Sequence, residues 1–199
     1  MGIKKTNLHH PQGSASDFIL PTIYTIGHSN LEVYQFEQLL KQHAITRVVD
    51  VRTAPRSQYV THFNREKLEF SLKQAGFNYS FMGETLGGRP NSPGCYFDRE
   101  IPSGHADYLH LVDYETVMTK DFFQRGIDEL MEMAVRDRLA LMCSEEDPNT
   151  CHRHHMISKY LLREGYSVQH IRKDGSLVNA KQLPDLAKIE SSKQLDLFG

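Results

Sequence analysis

The sequence has few cysteines, little net charge and no long apolar run, and each scarcity excludes a class of protein. Three cysteines among 199 residues are too few for a disulfide framework, and they favour a reducing cytoplasm. A formal net charge of -2 gives no global basic field, so nucleic-acid binding requires a local patch. No apolar run approaches the ~18 residues that a membrane span needs, and we expect no membrane association.

The composition, with 39% hydrophobic and 24% charged residues, is ordinary for one soluble globular domain. Residues 1–20 are mostly polar and lack the apolar core of a signal peptide, so we expect a flexible leader. The predicted domain covers residues 21–175. Residues 176–199 are mostly polar and show few helix or strand signals until their last few positions, and we expect an extended tail.

Short segments typical of strands alternate with amphipathic segments along the predicted domain. Predicted strands cover residues 22–26, 46–52, 77–82, 138–142 and 167–171. Predicted helices cover residues 31–43, capped by Ser29 or Asn30, then 64–75, 113–120, 122–136 and about 150–165. This alternation indicates βαβ units, so we predict an α/β fold, a Rossmann-like three-layer sandwich with a mostly parallel sheet of about five strands.

Residues 83–110 interrupt this alternation. They contain several glycines and prolines and show no periodicity. A connection of this length inside a domain is typical of a lid, a binding loop or a disordered segment.

Reactive residue types follow the carboxyl ends of the predicted strands, where ligands bind open parallel sheets. The catalytic candidates are Cys143, Glu145, His152, His28 and Asp50. The anion-binding candidates are Arg52, Arg153, Ser29, Arg56, Gly87 and Gly88. Arg52 and Arg153 would clamp a phosphate or carboxylate through bidentate hydrogen bonds. This coincidence of position and chemistry favours an enzyme.

The densest group runs from Cys143 to Arg153. We expect Cys151 in the first turn of a helix, where free amide groups and the helix dipole favour a thiolate. His152 and Arg153 would lower its pKa further, and Glu145 would accept a proton or orient the histidine.

Two other interpretations of this group stay open. Cys143, Cys151 and His152 are alternatively zinc ligands, although the sequence has no further Cys-x-x-Cys or histidine pair to complete a tetrahedral set. Cys143 is otherwise a small core residue with Arg153 capping the loop, and Asp50 a partner of Arg52 or of another arginine in the cleft. The sequence does not identify a cofactor.

Four spaced motifs together resemble domain-of-unknown-function family 488. They are Thr25-Ile26-Gly27-His28-Ser29, Val49-Asp50-Val51-Arg52 with Pro55 and Ser57, Leu86-Gly87-Gly88, and Met142-Cys143-x-Glu145 with Cys151-His152-Arg153. The resemblance covers roughly residues 24–171. It implies a Rossmann-like α/β domain and the positions of the site, and it implies no particular reaction.

The stretch from Val49 to Arg52 also resembles part of a rhodanese, which implies sulfur transfer. Such an enzyme needs an anion-cradling loop with an arginine about six residues after its cysteine. That position is Asn149 here, and the acidic residues at 145–147 would repel an anionic substrate.

The residues Gln194-Leu195-Asp196-Leu197-Phe198 resemble the binding motif of the bacterial DNA polymerase sliding clamp. By this resemblance Gln194 would bond the rim of the clamp pocket and Leu195 would fill a small subsite. Leu197 and Phe198 would enter the deep apolar pocket, as anchors that carry most of the binding energy. The alternative is a segment that folds back onto its own domain.

These observations give three functional hypotheses. The first is an enzyme acting on DNA or a nucleotide, recruited by the clamp during bacterial replication or repair. The second is a non-catalytic clamp accessory that binds nucleic acid or a partner. The third is a rhodanese-like sulfur transferase.

Overall fold

Six strands form one sheet in the computed structural model, which describes residues 20–104 and 106–184. They are β1 (Ile23–Gly27), β2 (Arg47–Asp50), β3 (Asn78–Phe81), β4 (Leu139–Cys143), β5 (Val168–Ile171) and β6 (Leu177–Asn179). Their order is β3-β2-β4-β1-β5-β6. The first five strands pair in parallel and β6 pairs antiparallel with β5. The predicted α/β fold with a mostly parallel sheet is confirmed.

Seven α-helices connect the strands of the described residues. They are α1 (Val33–Gln42), α2 (Arg65–Gln74), α3 (Gly83–Leu86), α4 (Tyr108–Leu111), α5 (Tyr114–Met118), α6 (Asp121–Ala134) and α7 (Lys159–Arg163). A π-helical segment, Arg153–Ser158, leads directly into α7. None of the helices in the described part of the chain is long and apolar enough to cross a membrane.

Helices cover both faces of the sheet. Leu139 and Leu141 of β4 belong to one buried cluster with residues of α6, whereas Ala140 and Met142 belong to a second cluster with residues of α1 and α2. Because successive side chains of a strand point to opposite faces, β4 is packed on both sides. This explains its continuous apolar sequence.

Neighbouring strands β2 and β4 continue in opposite directions across the sheet. From β2 the chain moves outward to β3, and from β4 it passes over β1 to reach β5. Loops that diverge in this way leave a crevice at the carboxyl ends of the two strands, which is where ligands bind in such sheets. The fold therefore places a crevice between the residues after Asp50 and those after Cys143.

The start of α1 differs from the prediction. Ser29 and Asn30 do not cap it, because the chain first turns at Ser29, whose φ is 46°. Glu32 is the capping residue instead, and it exchanges hydrogen bonds with Gln35 as a capping box.

The helix after β4 also begins later than predicted. Residues Pro148–Thr150 form a separate 3₁₀ turn, and Cys151 follows it in an extended conformation with φ -138° and ψ 138°. The expectation that Cys151 lies in the first turn of a helix is therefore wrong. It lies directly before the helical segment, and the Arg153 amide donates a hydrogen bond of 3.5 Å to its sulfur.

The sheet has one strand more than predicted. Asp174 and Gly175 form a tight turn, with Gly175 at φ 83°, that returns the chain along β5 as β6. The sheet thus extends to Asn179, beyond the predicted domain limit at residue 175. The predicted clamp motif at residues 194–198 and most of the predicted leader lie outside the described residues.

Candidate active site

A cavity of about 250 Å³ occupies the crevice between β2 and β4. The loop after β2 contributes Arg52, Thr53 and Ala54, and the loop after β4 contributes Cys143, Ser144 and Glu145. The remaining wall consists of Gly88, Arg89, residues 106–109, Tyr114, Thr150, Cys151 and His152. The cavity is therefore lined by residues from both sides of the crevice and from the aperiodic segment.

Two thiols and an imidazole meet at the buried side of this cavity. The Sγ atoms of Cys143 and Cys151 and the Nδ1 atom of His152 all lie within 4.8 Å of one another. Each sulfur lies 3.8 Å from Nδ1. The two cysteines are 4% and 1% exposed, so only the cavity gives access to them.

The backbone of β2 fixes the orientation of His152. Its Nε2 atom lies 3.1 Å from the carbonyl oxygen of Val51, and a carbonyl can only accept a hydrogen bond. Nε2 therefore carries a proton, and Nδ1 faces the two sulfurs. Gly88 lies against the ring, since a Cβ at this position would lie 2.6 Å from Cγ of His152.

Glu145 extends this group toward solvent. Glu145 as a whole is exposed, but its Oε2 atom lies 3.0 Å from Sγ of Cys143. The loss of water around the carboxyl and the negative charge of a Cys151 thiolate raise the pKa of Glu145. It is therefore suited to exchange a proton with a group in the cavity.

The two thiols differ in their tendency to ionise. Burial opposes ionisation of Cys151, but the hydrogen bond with Cys143 and the charges of Arg153 and His152 lower its pKa. The same hydrogen bond, together with burial, raises the pKa of Cys143. When one proton is shared by the pair, the thiolate is on Cys151.

Arg153 holds the loop after β4 and does not line the cavity. It is fully buried, and its guanidinium donates hydrogen bonds to the carbonyls of Glu145 and Glu146 and to the Thr25 hydroxyl. These bonds occupy the donors that the predicted anion clamp requires. Arg153 therefore positions the backbone of Glu145.

Asp50 and His28 lie behind Arg52. The Arg52 guanidinium makes bonds of 2.9 and 2.6 Å to the two oxygens of Asp50, and its Nη1 lies 3.1 Å from Nε2 of His28. Asp50 also accepts a bond of 2.8 Å from the Tyr79 hydroxyl. Burial and the Arg52 charge lower the pKa of His28 to about 4. Of these three candidates, only Arg52 lines the cavity.

Of the other anion-binding candidates, the structure brings one to the cavity. Gly88 lines the cavity, whereas Gly87, Ser29 and Arg56 do not. Arg56 is exposed and pairs with Glu66 at 2.9 Å. Of the eleven candidates, Cys143, Glu145, His152, Arg52 and Gly88 thus come together at one cavity.

Arg89, Tyr108 and Tyr114 also line the cavity, although no sequence motif contains them. The Arg89 guanidinium lies 4.5 Å from the centroid of the Tyr108 ring, and it has no carboxylate partner among the described residues. Arg89 and Tyr108 belong to the segment 83–110, whose length indicated a binding loop. The length of this segment was the sequence feature that could have identified Arg89 and Tyr108 as site residues.

The fold and the site define an α/β protein with a Cys-Cys-His-Glu cavity at the carboxyl edge of a parallel sheet. Residues 32–161 match the family described as "Domain of unknown function DUF488", and the chain belongs to this family. The predicted family resemblance is confirmed for the domain. The matched range contains the lining residues of the cavity and excludes the tail. No curated protein and no solved structure matches the chain.

Proposed function

We propose that this protein is an enzyme that acts on DNA or a nucleotide in the cavity between β2 and β4. The observation that carries this proposal is the convergence of Cys143, Cys151, His152 and Glu145 on one cavity. Thiol, imidazole and carboxyl groups are the usual nucleophiles and proton carriers of enzymes. A cluster with only a structural role has no need of an opening to solvent.

The wall of the cavity suits a base with an attached phosphate. Arg89 supplies a positive charge without a carboxylate partner among the described residues, and Tyr108 beneath it supplies an aromatic face. The Arg89 guanidinium covers this face, so a base would stack on the outer side of the guanidinium plane, and arginine also binds phosphate oxygens. Arg52 adds hydrogen-bond donors, although Asp50 neutralises its charge.

The cavity is small for a whole nucleic-acid segment. Its volume of about 250 Å³ lies below the roughly 300–1,000 Å³ of pockets that enclose drug-sized ligands. A single base is the part of DNA that fits, and a base reaches such a pocket from a nucleotide or after it leaves the helical stack.

Recruitment to DNA is the second part of the proposal. Gln194, Leu195, Asp196, Leu197 and Phe198 would seat on the bacterial sliding clamp and bring the cavity to DNA under replication or repair. This part rests on the sequence motif. We also propose a Rossmann-like classification for the domain, supported by the helices on both faces of its parallel sheet, and action in the bacterial cytoplasm.

Binding to a purified sliding clamp tests the recruitment. Leu197→Ala with Phe198→Ala should abolish binding, and Ser191→Ala with Ser192→Ala in the same tail should preserve it. We expect a roughly micromolar dissociation constant, because a flexible peptide loses conformational freedom on binding. Clamp binding by the leucine and phenylalanine variant at the wild-type level would overturn recruitment through this motif.

Cellular complementation separates the enzyme from a non-catalytic accessory. Glu145→Ala should fail to complement a deletion strain under DNA damage, whereas Glu84→Ala, an exposed position outside the cavity, should complement it. If Glu145→Ala complements fully while removal of residues 194–199 does not, the protein is the accessory.

A further inference from the structure

The spacing of Cys143, Cys151 and His152 matches a tetrahedral metal site. With a Zn–S bond of about 2.3 Å and a Zn–N bond of about 2.05 Å, tetrahedral angles separate sulfur and nitrogen ligands by roughly 3.6 Å. Both sulfurs lie 3.8 Å from Nδ1 of His152, and all three atoms lie within 4.8 Å of one another. Each sulfur–nitrogen separation is therefore within about 0.2 Å of the tetrahedral value.

Neighbouring hydrogen bonds hold two of these three side chains in a form suited to metal binding. The Val51 carbonyl accepts from Nε2 of His152 at 3.1 Å, so Nδ1 has its lone pair directed at the ion. Metal-binding histidines commonly have such a partner on their second nitrogen. The Arg153 amide, 3.5 Å from Sγ of Cys151, supports negative charge on that sulfur.

We propose that Cys143, Cys151 and His152 bind one zinc ion whose fourth coordination position faces the cavity. Two thiolates and an imidazole are donors that select zinc over magnesium or calcium. Within residues 20–104 and 106–184 this is the one group of three such ligands, so the described residues leave the fourth position to water. Three protein ligands and a water are typical of catalytic zinc, whereas structural zinc has four protein ligands.

Glu145 lies where it can carry protons to and from water bound to this ion. Its carboxyl contacts Cys143 at 3.0 Å, yet it is not among the three mutually close ligand atoms, and it lines the same cavity. A carboxyl next to the ion, but not bound to it, can take a proton from zinc-bound water.

The reaction class follows from the proposed function, on which this part rests. A single zinc ion suits attack at a trigonal carbon, since hydrolysis of phosphodiesters commonly uses two metal ions. We assign hydrolytic removal of an exocyclic amine from a nucleobase. Zinc-bound hydroxide would form a C–O bond at the ring carbon, Glu145 would carry one water proton to the amine, and the C–N bond would break to release ammonia. The second water proton would move from the new hydroxyl to the ring nitrogen, which leaves a carbonyl. Nucleobase deaminases use the same combination of two thiolates, one imidazole and an unbound glutamate.

Metal analysis of the full chain, purified without an affinity tag under reducing conditions, tests the zinc site. We expect about one zinc per chain in the wild type and in Cys95→Ser, because Cys95 is buried in the core and does not line the cavity. Cys143→Ser and Cys151→Ser should lose at least 90% of it. Less than a tenth of a zinc per chain in the wild type, or unchanged zinc in both serine variants, would overturn the site.

Cobalt titration gives a second measurement that needs no variant. Chelator-treated wild type should take up one Co²⁺ and develop the intense visible bands of tetrahedral cobalt together with sulfur-to-cobalt charge transfer. Weak octahedral bands alone would overturn the ligand set. This result is independent of the DNA or nucleotide substrate.

Ammonia release tests the reaction and separates it from the proposed function. Zinc-loaded protein should release ammonia from cytosine- or adenine-containing nucleotides or single-stranded DNA, and Glu145→Gln should keep its zinc and lose at least 100-fold in rate. Full zinc content with a different product from DNA or a nucleotide would overturn deamination and leave the proposed function standing. Full zinc content without any product would count against both.

Discussion

Nε2 of His152 donates a hydrogen bond of 3.1 Å to the carbonyl oxygen of Val51, and this bond joins the loop after β4 to the end of β2. It also directs Nδ1 at Cys143 and Cys151. The bond therefore links the stability of the crevice to the geometry of its reactive groups.

Replacing His152 with alanine should lower both the stability of the fold and the activity of the cavity. Because the buried Val51 carbonyl would lose its partner, we expect the free energy of unfolding to fall by about 1–3 kcal/mol. Turnover should be lost as well. Urea denaturation checks the stability, and an unchanged unfolding midpoint would show that the bond contributes nothing.

Gly88→Ala tests the close approach to the imidazole. Its Cβ would lie 2.6 Å from Cγ of His152, so the ring must move, and we expect a cost of about 1–3 kcal/mol together with loss of activity. Gly94→Ala is the matched control, since its Cβ would meet only Nη1 of Arg99 at 4.0 Å. Thermal unfolding of both variants separates the two cases, and equal melting temperatures would contradict the packing argument.

Asp50→Asn tests the buried ion pair behind the cavity. Asp50 is 0% exposed and Arg52 is 6% exposed, so removing one charge leaves the other buried without its counterion. We expect a loss of about 3–5 kcal/mol in chemical denaturation.

Glu66→Gln breaks the Arg56–Glu66 pair, in which both side chains are largely exposed. It should leave the unfolding midpoint unchanged, because solvent and salt screen exposed pairs. If Asp50→Asn were as mild as Glu66→Gln, the buried pair would not organise the wall of the cavity.

His170 makes the stability depend on pH. Burial, together with the neighbouring charges of His154, Arg153 and Arg172, lowers its pKa to about 2 in the folded chain. The Thr25 hydroxyl lies 2.7 Å from Nδ1 and His154 lies 3.1 Å from Nε2, so both nitrogens of the neutral ring have a partner.

Since an unfolded histidine has a pKa of about 6.5, the unfolded chain binds an extra proton below that pH. The stability contributed by neutral His170 is complete above pH 6.5 and is lost as the pH falls, by up to about 1.4 kcal/mol per pH unit. Between about pH 5 and pH 7, the unfolding free energy of His170→Asn should therefore fall less steeply than that of the wild type. Parallel curves would contradict a buried neutral His170.

The positions of the first five strands could be predicted because each is a short segment containing aromatic, β-branched or other apolar residues between turn or loop residues. The strand β6 was missed because it has only three residues, Leu177–Asn179, and its sequence lacks an apolar alternation. The Asp174-Gly175 pair was its one local indication, as a pair that favours a tight hairpin turn.

Cys143 and Glu145 could be placed at this edge from the sequence because they lie at the end of a predicted strand, and the carboxyl ends of parallel strands share one edge. For Arg153 and Asp50 the sequence allowed both a ligand-binding role and a structural one, and the partners in the structure are those of the structural role. Arg153 turned toward the carbonyls of its own loop, and Asp50 turned toward Arg52. Arg89 could not be placed because the aperiodic segment has no pattern that shows where it returns to the sheet.

Turnover by the cavity is the central claim, and mass spectrometry of reaction products tests it most directly. Zinc-supplemented wild-type protein, incubated with a nucleotide mixture and with clamp-loaded primed DNA, should generate a product of altered mass. Glu145→Gln should generate it at least about 100-fold more slowly, because general acid–base catalysis contributes roughly 10²–10⁴-fold. Identical mass profiles for the wild type, Glu145→Gln and a protein-free control would contradict the account.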